Sequence, residues 1–226
     1  MPQIQGKVMV GRIWLLSDPI DYRFAEASRR GTWQEKGGKL VRVSPLVIEW
    51  TKWTTASESV GDFLWPAIGE NLVMHERIFQ ELQDRFGGIE KEPEPIRIIP
   101  PKHKRKKKKT TEDSSLTIWI DELKIIEARI LHYVDIDWDK SCIKTTEEGG
   151  ENIEIDVDSE TFTVTTQRIP RVEGGGIYVK ASLLQGHSFF KVNQFPIMNL
   201  CTDAVRDFIL EKRYTNIDFL EVGELF

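Results

Sequence analysis

The sequence contains few of the side chains that most often carry chemistry. It has two cysteines, Cys142 and Cys201, and four histidines among 226 residues. Two thiols do not make a disulfide framework, so we expect both to be reduced in a cytoplasmic protein. Residues 1–16 lack the apolar core of a signal peptide, and no apolar run approaches the ~20 residues that a membrane-spanning helix needs. These absences argue against a secreted or membrane-spanning protein.

Motifs for catalysis, zinc binding and phosphate binding are also missing. No cysteine pair has zinc-site spacing, and the glycines at 174–176 are not followed by the Lys-Ser/Thr of a phosphate loop. One alternative is an unusual active site at Cys201, where a helix dipole would lower the thiol pKa, or at His187. The other treats Cys201 as a small buried hydrophobe. We assign no catalytic residue and expect a non-enzymatic protein with neither metal nor cofactor.

The charge of −5 is unevenly distributed along the chain. Residues 102–109 hold seven of the 31 Lys and Arg, which leaves 24 basic against 36 acidic side chains elsewhere. The body is therefore acidic, with one basic segment. Lys102–Lys109 is interpreted as a solvated linker or, alternatively, as a nucleic-acid contact that neutralises several phosphates. The linker is favoured because no aromatic residue interleaves the run and the acidic body repels phosphate.

Hydrophobic periodicity predicts an α+β fold of mainly antiparallel strands with two amphipathic helices. The first helix ends at Gly87-Gly88, and the second follows Thr202 as its N-cap. Alternating segments predict a hairpin around residues 158–160. The predicted apolar stripes are Met74, Ile78, Phe79, Leu82 and Phe86 in the first helix, and Val205, Phe208 and Ile209 in the second.

The order of these segments suggests a division of the chain. An N-terminal α+β half covers residues 1–100, a basic linker covers 101–115, and a strand-rich half that ends helix-strand covers 116–226; the two halves could also form one domain. Residues 75–86 can be aligned with residues 202–213. Two related halves would explain this match, and a chance likeness of two amphipathic helices is the alternative.

Three aspartates alternate in residues 134–139 and admit two functions. A calcium loop of the EF-hand type is excluded, because Lys140 and Thr146 stand where it needs glycine and a carboxylate. On a strand, alternation places Asp135, Asp137 and Asp139 on one face. We therefore predict an acidic surface that contacts a protein partner. Its predicted members are Asp135, Asp137, Asp139, Glu154 and Asp156, and Trp50 and Trp53 are added because tryptophan is favoured at recognition surfaces.

The C-terminal segment also carries a family resemblance. It has Ile-Tyr-Val at 177–179, Phe-Pro at 195–196, Cys-Thr-Asp at 201–203 and Asn-Ile-x-Phe-x-Glu-x-Gly at 216–223. With residues 62–88, these elements are similar to a bacterial family of double-CXXCG-motif proteins, allied to an immunity-protein domain first noted in Myxococcus. Both CXXCG pairs that name the family are missing here, so no metal knuckle is expected. The resemblance implies an immunity protein that binds and neutralises a toxin.

Overall fold

The structure is a computed structural model and describes residues 11–19, 26–29, 33–36, 39–42, 47–52, 60–66, 71–93, 96–99, 124–141, 153–156, 161–164 and 176–226. Strands dominate these ranges and two α-helices accompany them, so the predicted α+β class is confirmed. Within the same ranges, no helix has both the length and the apolar character needed to cross a bilayer. The basic segment and Cys142 lie outside the described residues.

The elements follow one another with short connections in several places. The first are β1 (Gly11–Ser17), β2 (Glu26–Arg29), β3 (Trp33–Lys36), β4 (Lys39–Arg42), β5 (Val47–Lys52), β6 (Phe63–Leu64), β7 (Leu72–His75), α1 (Glu76–Phe86), β8 (Ile89–Lys91) and β9 (Arg97–Ile99). The others are β10 (Ile125–Ile130), β11 (Tyr133–Val134), β12 (Ile153–Asp156), β13 (Thr161–Val164), β14 (Ile177–Val179), a 3₁₀ turn (Ala181–Leu184), β15 (Phe189–Val192), β16 (Phe195–Thr202), α2 (Asp203–Lys212) and β17 (Asp218–Leu225).

Two larger sheets form the centre of the described fold. One has six strands in the order β11-β15-β16-β1-β17-β14, and the other has four in the order β6-β7-β10-β8. Most neighbours are antiparallel, but β11–β15, β14–β17 and β5–β9 are parallel. The predicted hairpin is confirmed, since β12 pairs with β13 across residues 157–160.

Each of these two sheets combines strands that are far apart in the sequence. Strand β1 lies between β16 and β17 and is antiparallel to both. Strand β10 lies between β7 and β8 and is likewise antiparallel to both. Neither sheet is therefore formed by residues 1–100 or 116–226 alone.

The two sheets share one arrangement. In each, a strand runs directly into a helix, the helix is followed by a parallel strand, and a distant antiparallel strand fills the gap between the two. The registers also correspond across three neighbouring strands. The matching rows are Phe63, Met74 and Ile126 in the four-stranded sheet, and Phe189, Cys201 and Trp14 in the six-stranded sheet.

Both helices pack into one core between the inner faces of the two sheets. The predicted stripes are confirmed, except that Met74 lies in β7 because α1 begins only at Glu76. Strand and helix meet without a loop, so Met74 points into the same core from the strand. The helices contact each other through Phe86 and Phe208, whose rings meet edge to face at 5.5 Å between centroids. Such pairs add ~0.5–1.5 kcal/mol beyond their burial.

A glycine ends α1 as predicted, whereas the start of α2 lacks the predicted side-chain cap. Gly87 ends α1 with a φ of 62°, and its N–H donates to the carbonyl of Gln83 at 2.9 Å. Thr202 occupies the N-cap position of α2, but its side chain makes no capping hydrogen bond. The neighbouring Asp203 carboxylate instead accepts from the Trp14 indole N–H at 2.8 Å. This bond fastens the start of α2 to the strand inserted beside it.

The six-stranded sheet curls so that its two outer strands approach each other. Val134 ends β11, and three residues later the Asp137 N–H donates to the Tyr178 carbonyl of β14 at 2.7 Å. Three residues span at most about 11 Å, so the two edges lie within that distance. The curled face encloses a second core, to which Val134 and Ile136 contribute.

Candidate contact surface

Residues 131–136 cross from β10 to the rim of the curled sheet with alternating exposure. Val134 and Ile136 are buried in the second core, whereas Asp135 is exposed. Leu131 and Tyr133 keep 49% and 46% of their surface in contact with solvent. The buried residues hold the backbone in place, so the exposed side chains project from a fixed frame.

A turn at Asp137–Ser141 continues this segment and presents a tryptophan. The Asp137 carbonyl accepts from the Ser141 N–H at 2.8 Å, and its carboxylate accepts from the Lys140 N–H at 3.1 Å. Ser141 in turn accepts from the Tyr178 N–H at 3.0 Å, which ties the turn to β14. Trp138 lies inside this turn and is 49% exposed. A large aromatic side chain on a preorganised turn is the kind of residue that anchors protein interfaces.

The predicted aspartates therefore lie close together, but not on one strand face. The strand ends at Val134, and Asp137 uses its backbone and carboxylate to close the turn. Asp137 is half-buried and also pairs with Lys180 at 3.7 Å. Asp135 is exposed and accepts from the Asn193 amide at 2.8 Å, and Asp139 is exposed.

The other predicted contact residues are not brought to this place by any described contact. Glu154 and Asp156 lie in β12, and Trp50 lies in β5. Trp53 falls outside the described residues. Their membership of an acidic contact face stays a prediction.

Sequence reasoning overlooked the apolar members of the segment. Leu131, Tyr133 and Trp138 are three of the five large hydrophobic side chains that are exposed in the described ranges. The sequence did contain a signal for their exposure. Leu131, Tyr133 and Asp135 occupy every second position, as one face of an extended segment does, and the buried Val134 and Ile136 occupy positions of the other face. We call the set Leu131, Tyr133, Asp135, Trp138 and Asp139 the 131–139 surface.

A cleft of about 500 Å³ opens beside this surface. Leu131, Tyr133 and Pro196 form part of its wall, and the polar residues that line it are Arg129, Lys191, Asn71 and Glu92. The Lys191 side chain is 1% exposed, and its ammonium donates to the Pro196 carbonyl at 2.7 Å. Burying a lysine is costly unless the ammonium is paired, and the Pro196 carbonyl is one partner of this one.

The alternative interpretation placed an unusual active site at Cys201 or at His187, and the structure shows the surroundings of both residues. Cys201 is fully buried in β16, and this burial, with the nearby Asp203 charge, raises the pKa of its thiol well above the ordinary value. The alternative in which the helix dipole lowers this pKa is therefore wrong, and the interpretation of Cys201 as a small buried hydrophobe is confirmed. His187 stacks on His132 with 4.4 Å between ring centroids, and His132 Nε2 lies 2.9 Å from the Leu183 carbonyl oxygen.

In the part of the chain that the structure describes, no group of three or more His, Cys, Asp or Glu side chains is placed to hold a metal ion. No family model matches this chain, and no curated protein matches it either.

Proposed function

We propose that this protein is a non-catalytic binding protein of the immunity type, which neutralises a bacterial toxin by covering part of its surface. The observation that carries the proposal is the 131–139 surface. It combines three exposed apolar side chains with two exposed carboxylates on a backbone that is fixed by buried neighbours and turn hydrogen bonds. Preorganised aromatic anchors lose little conformational freedom on binding, so more of their contact energy appears as affinity.

The charge of the protein supports a basic partner. The chain is acidic outside residues 102–109, and Asp135 and Asp139 are exposed members of the 131–139 surface. A toxin that cuts nucleic acid has a basic substrate-binding surface, because it must neutralise phosphates. Opposite charges speed the encounter and reject other partners. We place this action in the cytoplasm, because a chain with only two cysteines has no disulfide framework of the kind found in secreted proteins.

The test uses the product of the neighbouring gene, which this proposal expects to be a toxin, and measures its dissociation constant calorimetrically. Trp138→Ala is expected to weaken binding about 30-fold or more, as loss of a central anchor does. Leu210→Ala is the matched control, because Leu210 is equally exposed at 50% but lies on α2. Equal losses for both variants, or no binding by the wild-type protein, would rule out this surface.

We also infer that the two helix-containing units are related by duplication. Supporting this, the His75 N–H donates to Asp62 in one unit as the Thr202 N–H donates to Ser188 in the other, at 3.1 and 3.0 Å. Each bond links the residue before a helix to the residue before the neighbouring strand. In this view β1, from the N-terminal half, lies in the sheet of the second unit, and β10, from the C-terminal half, lies in the sheet of the first unit.

A further inference from the structure

The cleft beside the 131–139 surface gathers an unusual amount of buried polarity. Three polar or charged side chains are buried in the described ranges, namely Glu127, Lys191 and Asn199. Lys191 lines the cleft, and Glu127 accepts from the cleft residue Asn71 at 3.0 Å. Asn199 lies in β16, the strand that pairs with β15, and it does not line the cleft itself. Its Oδ1 is buried without a hydrogen-bond partner among the described residues.

Burying a charged group destabilises a fold unless it finds a partner, and Lys191 is buried at the wall of the cleft with the Pro196 carbonyl as one partner. A stable core would be expected to fill this place with apolar side chains instead. Buried polar groups that meet at a cleft are a common mark of a binding site. The cleft is therefore a better candidate for a ligand than for a purely structural role.

The strand register gives the cleft two different ends. Along β10, Glu127 comes first and stands beside Glu92, whose N–H donates to its carbonyl at 2.8 Å. Arg129 follows two residues later, about 7 Å further along the strand. Tyr133, beyond it, is the register partner of Lys191. Glu127 and Glu92 thus lie toward one end, whereas Arg129, which pairs with Glu90, and Lys191 lie toward the end that carries the apolar residues.

Arg129 is the cation best placed to meet a ligand. Its Nε and Nη2 both donate to one oxygen of Glu90, the first at 3.0 Å. Its Nη1 makes no hydrogen bond to any residue that the structure describes, and half of the side chain is exposed. A guanidinium edge of this kind matches the two oxygens of a carboxylate. Lys191, held by Pro196, adds a second positive charge to the same end.

We propose that this cleft binds the carboxylate of a ligand with an apolar body. The ligand carboxylate contacts Arg129 at the end of the cleft where Lys191 lies. The apolar body of the ligand lies along Leu131, Tyr133 and Pro196. A small carboxylic acid and the C-terminus of a peptide share this chemistry. The site does not depend on toxin neutralisation, although Leu131 and Tyr133 belong to both surfaces.

The test is a ¹H–¹⁵N NMR titration of the full chain with two probes of the same shape and opposite charge. Benzoate is expected to shift the amide signals of residues 129–133 and 191, with a dissociation constant on the order of millimolar for so small a ligand. Benzylamine is expected to leave them in place. Binding of benzylamine as tight as that of benzoate, or no binding of benzoate, overturns the proposal.

A matched pair of variants locates the binding. Arg129→Gln is expected to weaken benzoate binding at least tenfold, because the guanidinium fork is lost. Arg12→Gln is the control, since Arg12 is similarly exposed at 59% and also pairs with one carboxylate, Glu221, on a neighbouring strand. If Arg129→Gln binds benzoate as the wild-type protein does while its spectrum remains folded, the site is wrong.

A second pair of probes separates the two sources of the carboxylate. A peptide that ends in phenylalanine is titrated with a free and with an amidated C-terminus. Tighter binding of the free peptide than of benzoate identifies a peptide terminus as the ligand, and weaker binding identifies a small acid. Equal binding of the free and amidated peptides contradicts carboxylate recognition.

Discussion

Replacement of Gly223 by alanine should destabilise this protein severely. Gly223 lies in β17 opposite Ile177 of β14, and a Cβ atom placed on it would stand 1.8 Å from the Ile177 carbonyl oxygen. It would also stand 2.7 Å from the carbonyl carbon. These are backbone atoms, so a side-chain rotation cannot relieve the clash. Strand β14 must separate from β17 to admit the methyl group.

The size of the effect follows from what that separation exposes. Ile177 and Val179 are both fully buried, at 0% exposure, and full burial of such a side chain contributes ~1.5–3 kcal/mol. Partial exposure of both, with loss of their strand pairing, should cost at least ~3 kcal/mol. This is a large part of the ~5–15 kcal/mol that stabilises an ordinary domain.

The assay is urea denaturation followed by tryptophan fluorescence, which gives the free energy of unfolding if the transition is two-state. Gly11→Ala is the control, because its added Cβ would meet the movable Leu225 Cδ1 at 3.3 Å. We expect the control to lose less than ~1 kcal/mol. A loss of similar size for Gly223→Ala would refute the close approach of β14 and β17.

Three further outcomes are expected. Burial lowers the pKa of His75 from its ordinary 6.5 against the opposing effect of Asp62, so the unfolded chain binds the proton more readily than the folded one. The free energy of unfolding should therefore fall as the pH drops below 6.5, and it should fall less steeply in His75→Asn. Equal slopes for the two proteins in pH-dependent denaturation would contradict this. Cutting the chain at a protease site inserted into residues 101–115 should leave two fragments that co-elute in gel filtration. The reason is that β1 and β10 each lie in a sheet with strands of the other fragment. Separate elution of the fragments without denaturant would contradict these strand pairings. Replacing the basic residues of 102–109 by alanine should leave retention on heparin at about 0.15 M salt unchanged, and lost retention would favour the nucleic-acid alternative.

The local elements of this fold could be predicted, because their signals lie within a few residues. The stripe through Ile78 and Leu82 with Gly87 behind it placed α1 correctly, and Val205 with Ile209 placed α2. The insertion of β1 and β10 into distant sheets could not be predicted from periodicity. Both are apolar strands, and nothing in their residues specifies the strand partners that they find far along the chain.

The candidate site was predicted in part. The aspartates did point to residues 135–139, but alternation was interpreted as a strand, whereas Asp137 closes a turn. Aspartate at the first position of a turn is a known turn signal. Here Asp137 forms the turn, although the alternating pattern also fits a strand. The cleft could not be predicted from the sequence, since Arg129, Lys191 and Asn71 come together only through pairing of strands from both parts of the chain.

Inhibition of the toxin tests the central proposal most directly. The activity of the toxin encoded beside this gene would be measured with increasing amounts of the wild-type protein and of a Tyr133→Ala/Trp138→Ala double variant. Both side chains are about half exposed, so the variant should fold normally. The account predicts complete, stoichiometric inhibition by the wild-type protein and little by the variant. Full toxin activity in the presence of excess wild-type protein would contradict it.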